Sequence, residues 1–168
     1  QYKRSHAVDR YLGILRAHGV DVSGAVPEIQ LLASEKQAAV NFLSRDGVAA
    51  HDMVVGIHPG GGWRYKLWSV KKFAALGDML MQEYGAKVLV FAGPDETALQ
   101  AQMSDLMKLS PIIVQNVGLR ELAALIQRCR LYIGNDTGPM HIAAAVGTRV
   151  ISIFGSTDAN RSGPYGNG

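Results

Sequence analysis

From residue 53 onward the sequence alternates between short apolar runs and segments with helical periodicity. The runs are "MVVGIHP", "KVLVFAG", "PIIV", "LYIGND" and "VISIFG", and the first four precede helical segments at 69–84, 95–109, 119–129 and 138–146. Such alternation is typical of a parallel sheet covered by helices, and runs such as "VLVFA" are apolar enough for burial on both faces. We therefore predict an α/β fold, a Rossmann-like parallel sheet with helices on both faces.

Two helices are predicted before the first strand. The first lies over residues 5–18 and ends before Gly19, and the segment "VDVSGAVPEIQL" that follows has no hydrophobic period and is predicted to be a linker. Ser34 and Gln37 have the spacing of a capping box, which predicts a second helix over 35–45.

Composition limits the classes of protein to consider. At 168 residues and 48% hydrophobic content, the chain is long and apolar enough for one domain with a sizeable core. The net charge of +3 comes from scattered Lys and Arg, so no nucleic-acid partner is expected. No apolar run approaches the roughly 20 residues of a membrane helix, and "QYKRSHAVDR" lacks a secretory core. We expect a cytoplasmic protein.

The single cysteine, Cys129, has no partner for an internal disulfide. It continues the apolar spacing of Leu119, Leu122 and Ile126, which favours a buried core thiol over a nucleophile.

In open parallel sheets, ligands bind beyond the carboxyl ends of the strands, where helix N-termini converge. After the first strand, "HPGGGWRYKLWS" offers Gly60, Gly61 and Gly62 for close approach of backbone amides to an anion, with the Lys66 ammonium nearby. A Walker loop would need Lys directly after its last Gly, and a dinucleotide fingerprint would need Gly at Tyr65. The stretch is therefore consistent with two interpretations. It is either a flexible glycine turn beside a surface lysine or an anion-binding site.

The second strand is followed by Asp95 and Glu96 at the start of a predicted helix. A carboxylate there either complements the helix dipole or accepts hydrogen bonds from a ribose diol. The residues alone leave both interpretations open.

The fourth strand leads into "GNDTGPMHIAAA". Asp136 and Thr137 are N-cap types, and Gly138 permits close approach to a ligand, so capping explains much of this stretch. Capping does not explain His141, which either donates to a phosphate or sugar oxygen or is an ordinary packed or surface histidine.

The pattern G-x-D-x-G in the same stretch also matches the nucleophile elbow of a hydrolase. That chemistry needs a histidine from a later, separate loop, and the one histidine after Asp136 is His141, on the same helix. The hydrolase interpretation is therefore disfavoured. The final stretch, "FGSTDANRSGPYG", starts at a strand end. It is either an ordinary turn or, as its position beside the fourth strand favours, a second wall of the same site.

Taken together, "HPGGGWRYKLWS", "FAGPDE", "NVGLRELAALIQRCRLYIGNDTGPMHIAAAVGTRVISIFGSTD" and "GPYG" resemble the C-terminal half of the family nine glycosyltransferases, the lipopolysaccharide heptosyltransferases. The resemblance covers roughly residues 53–166, and its most specific part is D-T-G-x-x-H with the following G-x-T-D. It implies the C-terminal half of a two-domain GT-B fold, which needs no metal or other cofactor and binds the nucleotide sugar mainly through this half.

The resemblance also implies roles for particular residues. Lys66 corresponds to the lysine at the donor phosphates and Glu96 to the acid at the ribose, while Val117 lies where the adenine is held. The loop and helix start that hold diphosphate and sugar correspond to Asp136, Thr137, Gly138 and His141. The family's catalytic base, an aspartate near the start of the N-terminal domain, has no counterpart in this sequence.

We therefore expect residues 1–30 to be a trailing helix and linker of an N-terminal domain, and 31–168 a nucleotide-sugar-binding domain whose C-terminus is incomplete. The expected partners are ADP-heptose or a related nucleotide sugar and, through the other domain, a lipopolysaccharide core acceptor. Residues 1–168 alone are expected to be inactive. Peripheral association of the full-length protein with the inner face of the inner membrane stays open. The alternative function is a nucleotide-binding module without transferase activity.

Overall fold

The computed structural model describes residues 5–166, apart from the side chain of Arg64. Five strands form one sheet: β1 (Val54–His58), β2 (Lys87–Phe91), β3 (Ile112–Val114), β4 (Leu131–Asn135) and β5 (Val150–Ile153). The helices are α1 (Ala7–Ala17), α2 (Ala33–Arg45), α3 (Val70–Tyr84), α4 (Thr97–Leu106), α5 (Leu119–Arg128), α6 (Gly138–Ala145) and α7 (Ala159–Ser162). Short 3₁₀ turns lie at Arg64–Lys66 and Pro94–Glu96.

The sheet is parallel throughout, with the strand order β3-β2-β1-β4-β5. The chain proceeds outward from β1 to β3, then crosses to the other side of β1 to add β4 and β5. The order of strands therefore reverses between β1 and β4, where His58 pairs with Gly134 at the carboxyl ends. Ligands of open α/β sheets bind at such a point because the loops that leave the two strands diverge there.

Helices cover both faces of the sheet. Buried residues of α3 and α4, such as Phe73 and Met103, pack against one face with Ile57. The opposite face packs against α2, α5 and α6, where Leu43 and Leu125 lie in one cluster with the strand residues. The predicted Rossmann-like α/β fold is confirmed, and each predicted apolar run contains the strand expected of it.

Two local predictions are corrected and a third is confirmed. Helix α2 begins at Ala33, and its N-cap is Leu32, whose N–H donates to the Glu35 carboxylate at 2.7 Å, so the predicted Ser34 capping box is wrong. Leu119 is 73% exposed and is not part of the core stripe. Cys129 is buried as predicted, and burial raises the pKa of its thiol to about 12.

Helix α1 contains no buried residue and is tied to the end of the described chain. His6 Nδ1 accepts from the Val8 N–H, so His6 Nε2 carries the proton and donates to the Gly163 carbonyl at 3.1 Å. In the linker, the Ile29 N–H donates to the Ala145 carbonyl at 2.9 Å. The division near residue 30 stays a prediction, and residues 1–4 and 167–168 of the two segments lie outside the described residues. Within 5–166 no helix is long and apolar enough to cross a membrane.

Candidate functional site

A cleft of about 660 Å³ opens at the carboxyl edge of the sheet, at the point where the strand order reverses. Loops after β1 and β2, the start of α5 and the first turn of α6 form its walls. The cleft is lined by His58, Gly61, Gly62, Phe91, Ala92, Gly93, Pro94, Asp95, Glu96, Val114, Val117, Leu119, Leu122, Thr137, Gly138 and Pro139. Five of the predicted site residues therefore share one cavity: Gly61, Glu96, Val117, Thr137 and Gly138.

Glu96 is held by hydrogen bonds from two directions. One carboxylate oxygen, Oε2, accepts from the Gly93 N–H at 2.7 Å and lies 2.8 Å from His58 Nε2. The hydrogen bond from His58 is the largest influence on this group, and with the Gly93 amide it outweighs desolvation and lowers the pKa of Glu96 to about 2. The carboxylate stays ionised at neutral pH, so it can accept hydrogen bonds from a ligand.

The glycines after β1 are needed for close approach. A Cβ built on Gly60 would collide with the Glu96 carboxylate. Gly61 has a φ of 156°, and a Cβ there would lie 2.8 Å from Thr137 Cγ2. Side chains at these positions would push the Glu96 carboxylate and the first turn of α6 away from the loop.

Lys66 lies beside the cleft rather than in its lining. Its Nζ is 3.2 Å from Asp136 Oδ2, which also accepts a hydrogen bond from the Thr157 hydroxyl at 2.7 Å. Thr157 belongs to the stretch predicted as a second wall, which therefore contacts the site through Asp136. The ion pair joins the loop after β1 to the turn that precedes α6.

The first turn of α6 presents free backbone amides to the cleft. Thr137 occupies the N-cap position, but its hydroxyl makes no capping hydrogen bond and lies 3.3 Å from His58 Nδ1 and 3.4 Å from the Asn135 carbonyl. Gly138 and Pro139 line the cleft directly. Pro139 has no N–H, and the Met140 N–H donates to the Thr137 carbonyl at 3.2 Å, so the amides of this turn that are left for a ligand are those of Thr137 and Gly138. A free amide pair at a helix start suits an anion.

His141 is exposed on α6 and is not among the residues that line the cleft. Partial desolvation lowers the pKa of its ring, and the Asp136 carboxylate opposes this effect. Gly60, Lys66 and Asp136 are likewise outside the lining, but each contacts residues that surround the cleft.

Val117 lies on the apolar side of the cleft, with Phe91, Val114, Leu119 and Leu122. This wall faces the polar side, which is formed by Glu96 and the start of α6. The cleft therefore suits a ligand with one flat apolar part and one strongly anionic part.

Two site residues were not singled out from the sequence. Asn135 is fully buried, where its Oδ1 accepts from the Trp68 N–H at 2.9 Å and its Nδ2 donates to the carbonyls of Pro59 and Gly60 at 2.9 and 3.2 Å. It thereby holds both ends of the glycine loop. His58, only 3% exposed, is the other. Each is the last residue of an apolar strand, and a polar residue at that place is the signal that could have found them.

Across residues 5–166, no cluster of His, Cys, Asp or Glu side chains is arranged to hold a metal ion. Among the described residues, the groups in and beside the cleft that can meet an anion include the Lys66 ammonium and the backbone amides at the start of α6.

Comparison with known proteins matches the whole chain, residues 1–168, to the model of glycosyltransferase family 9 (heptosyltransferase). The chain belongs to this family.

The chain is 32% identical over 158 residues to lipopolysaccharide heptosyltransferase 3 of Escherichia coli K12. The matched region covers 92% of this chain and 45% of that relative. The crystal structure of the glycosyl transferase family 9 from Veillonella parvula DSM 2008 matches at 29% identity with a TM-score of 0.92, over 98% of this chain and 48% of that one. The structure of E. coli ADP-heptose lps heptosyltransferase II matches at 21% identity with a TM-score of 0.81, and the match covers 98% of this chain and 53% of that one. These structures confirm the GT-B half as the fold, and the chain spans about half the length of the relatives it matches.

Proposed function

We propose that this chain binds the ADP part of ADP-heptose, and that the protein to which it belongs transfers the heptose to a lipopolysaccharide core acceptor. Family membership and the heptosyltransferases among the similar proteins support heptose transfer. Because the chain spans about half the length of these relatives, we assign the acceptor site and the complete reaction to the longer protein and not to this chain alone.

The arrangement of the cleft carries the proposal for the donor. A carboxylate with a pKa of about 2, Glu96, can accept hydrogen bonds from both hydroxyls of a ribose. The apolar wall around Val117 suits the adenine ring, and the amides of Thr137 and Gly138 suit the diphosphate. A ribose between base and diphosphate requires the acid to lie between those two regions, and Glu96 lines the same cavity as both.

In the proposed reaction, an acceptor hydroxyl attacks the anomeric carbon of the heptose, and the bond from that carbon to the β-phosphate oxygen breaks. The departing ADP gains negative charge, which Lys66 and the amides at the start of α6 stabilise without reorganising. Asp136 keeps Lys66 at this end of the sheet. His141 would serve the diphosphate or the sugar only from the rim, since it lies outside the cleft lining.

The proton released by the acceptor hydroxyl needs a base, and we assign none to this chain. The aspartate that the family resemblance implies has no counterpart in the sequence. We therefore propose that residues 1–168 bind the donor but do not transfer heptose, because binding the leaving group does not replace a base and an acceptor platform.

The test is calorimetric titration of the chain with ADP, UDP, GDP and ADP-heptose, each with a chelator and again with magnesium. We expect ADP and ADP-heptose to bind, the other two nucleotides to bind more weakly, and the chelator to have no effect. A strict requirement for magnesium, or a preference for UDP, would contradict the proposal.

A further inference from the structure

His58 connects the two polar parts of the cleft. It ends β1, and its ring is buried between the turn that carries Glu96 and the first turn of α6. The Nε2 atom lies 2.8 Å from Glu96 Oε2, and the Nδ1 atom lies 3.3 Å from the Thr137 hydroxyl. The two ring nitrogens therefore contact residues from two different elements, one on each side of β1.

This contact assigns a proton. Because the Glu96 carboxylate is ionised and only accepts, Nε2 must carry hydrogen and donate to it. In the neutral imidazole, Nδ1 then accepts from the Thr137 hydroxyl. An apolar residue of the same size would fill the space but would leave the Glu96 carboxylate with only the backbone amides of Gly93 and Gly61 as donors among the described residues.

The polar cluster continues beneath the cleft. The Tyr132 ring is fully buried on β4, and its hydroxyl has no hydrogen-bond partner among the described residues. Burial raises the pKa of Tyr132, and the Thr137 hydroxyl is the first group to oppose that effect. A second buried hydroxyl thus lies close to Thr137.

We propose that His58 is a positioning residue of the donor site: it aims the Glu96 carboxylate at the ribose and links it through Thr137 to the turn that binds the diphosphate. The inference rests on the proposed function for the identity of the ligand. It assigns His58 no direct part in the reaction.

The two contacts can be separated by substitution. The side-chain nitrogen of Gln reaches about as far as Nε2 of histidine, whereas that of Asn reaches about as far as Nδ1. His58→Gln therefore keeps a donor for Glu96, and His58→Asn keeps a polar partner for Thr137 alone. His58→Phe removes both contacts and fills the space.

The first measurement is calorimetric binding of ADP and of inorganic pyrophosphate to the wild-type chain and the three variants. We expect ADP affinity to fall about tenfold in His58→Phe and His58→Asn, and to stay within about twofold of wild type in His58→Gln. Pyrophosphate, which has no ribose, should change about twofold or less in His58→Asn. His51→Gln, which alters an exposed histidine before β1, is the control.

The second measurement needs no ligand. Carbon-detected NMR titration of the Glu96 carboxyl should give a pKa near 2 in the wild-type chain and in His58→Gln, and a clearly higher pKa in His58→Phe. If wild type fails to bind ADP while the Glu96 pKa still depends on His58 as described, the proposed function fails and the positioning of Glu96 stands.

The inference is overturned if ADP binding and the Glu96 pKa are both unchanged in His58→Phe. It is equally overturned if all three variants, including His58→Gln, lose ADP and pyrophosphate binding in proportion to a loss of thermal stability, because the imidazole would then serve the fold alone.

Discussion

Lys66 Nζ lies 3.2 Å from Asp136 Oδ2, an ion pair between residues 70 positions apart in the sequence. Both side chains are largely buried, with exposed fractions of 20% and 9%. The pair holds an ammonium beside the N-terminus of α6, so a bound diphosphate would meet a cation that is already in place. The Thr157 hydroxyl donates to the same Asp136 oxygen and so helps to hold the pair in this position.

Lys66→Ala should weaken ADP binding by about 1.5–3 kcal/mol, the usual effect of a hydrogen bond to a charged group. The remaining binding should depend less on salt, because one screened charge interaction is gone. Calorimetry at two salt concentrations tests both effects. Lys71→Ala, on the exposed side of α3, removes the same charge elsewhere, and equal losses in the two variants would contradict the assignment.

Acid should destabilise the fold through Glu96. Its pKa is near 2 in the folded chain against an ordinary value of 4.5, so its contribution to folding is complete above about pH 4.5 and is lost as the pH falls toward 2. Because the carboxyl is only partly buried and its interactions are screened by solvent, we expect about 1–2 kcal/mol of this contribution to appear in stability. Urea unfolding between about pH 6 and pH 2.5 should show a smaller loss of stability in Glu96→Gln than in wild type.

The exposed Glu83 on α3 provides the control for that experiment, because Glu83→Gln should leave the acid loss of stability as in wild type. Glu96→Ala should in addition weaken ADP while affecting pyrophosphate little. Identical acid profiles for Glu96→Gln and wild type would show that the hydrogen bonds to Glu96 do not contribute to folding.

The elements could be predicted because their signals are local. The apolar runs depend on neighbouring residues, and each contains a strand as expected. The end of α3 is equally local, since Gly85 follows it in the left-handed conformation. The start of α2 could not be predicted in this way, because its N-cap is Leu32 and not a serine or threonine. The Leu32 N–H donates to the Glu35 carboxylate instead.

The candidate site was less accessible from the sequence. Lys66 and Glu96 were recognised as residue types that follow strands, but nothing in the spacing shows that Lys66 meets Asp136 or that Glu96 meets His58. Such contacts depend on strand order. Asn135 and His58 end apolar strands, so their polarity was visible, but their partners come from loops distant in the sequence.

Asn135→Ala should destabilise the chain by about 2–4 kcal/mol, because the buried Trp68 N–H and the carbonyls of Pro59 and Gly60 would lose their partner. ADP binding should fall as well, since these groups hold the glycine loop. Urea unfolding and calorimetry measure the two effects. Asn41→Ala, an exposed amide on α2, should change neither by a comparable amount.

Gly60→Ala tests the close approach of the glycine loop to Glu96. The new methyl group would collide with the Glu96 carboxylate, which must then rotate away from His58, so ADP affinity should fall about tenfold. Gly118→Ala is the matched control: its methyl group would meet no atom within 4 Å, and its φ of −71° is open to alanine. Circular dichroism checks the fold of each variant, and calorimetry with ADP and pyrophosphate separates ribose from diphosphate. If Gly60→Ala binds ADP as tightly as Gly118→Ala does, the carboxylate has room to move without loss, and the orientation of Glu96 does not determine donor binding.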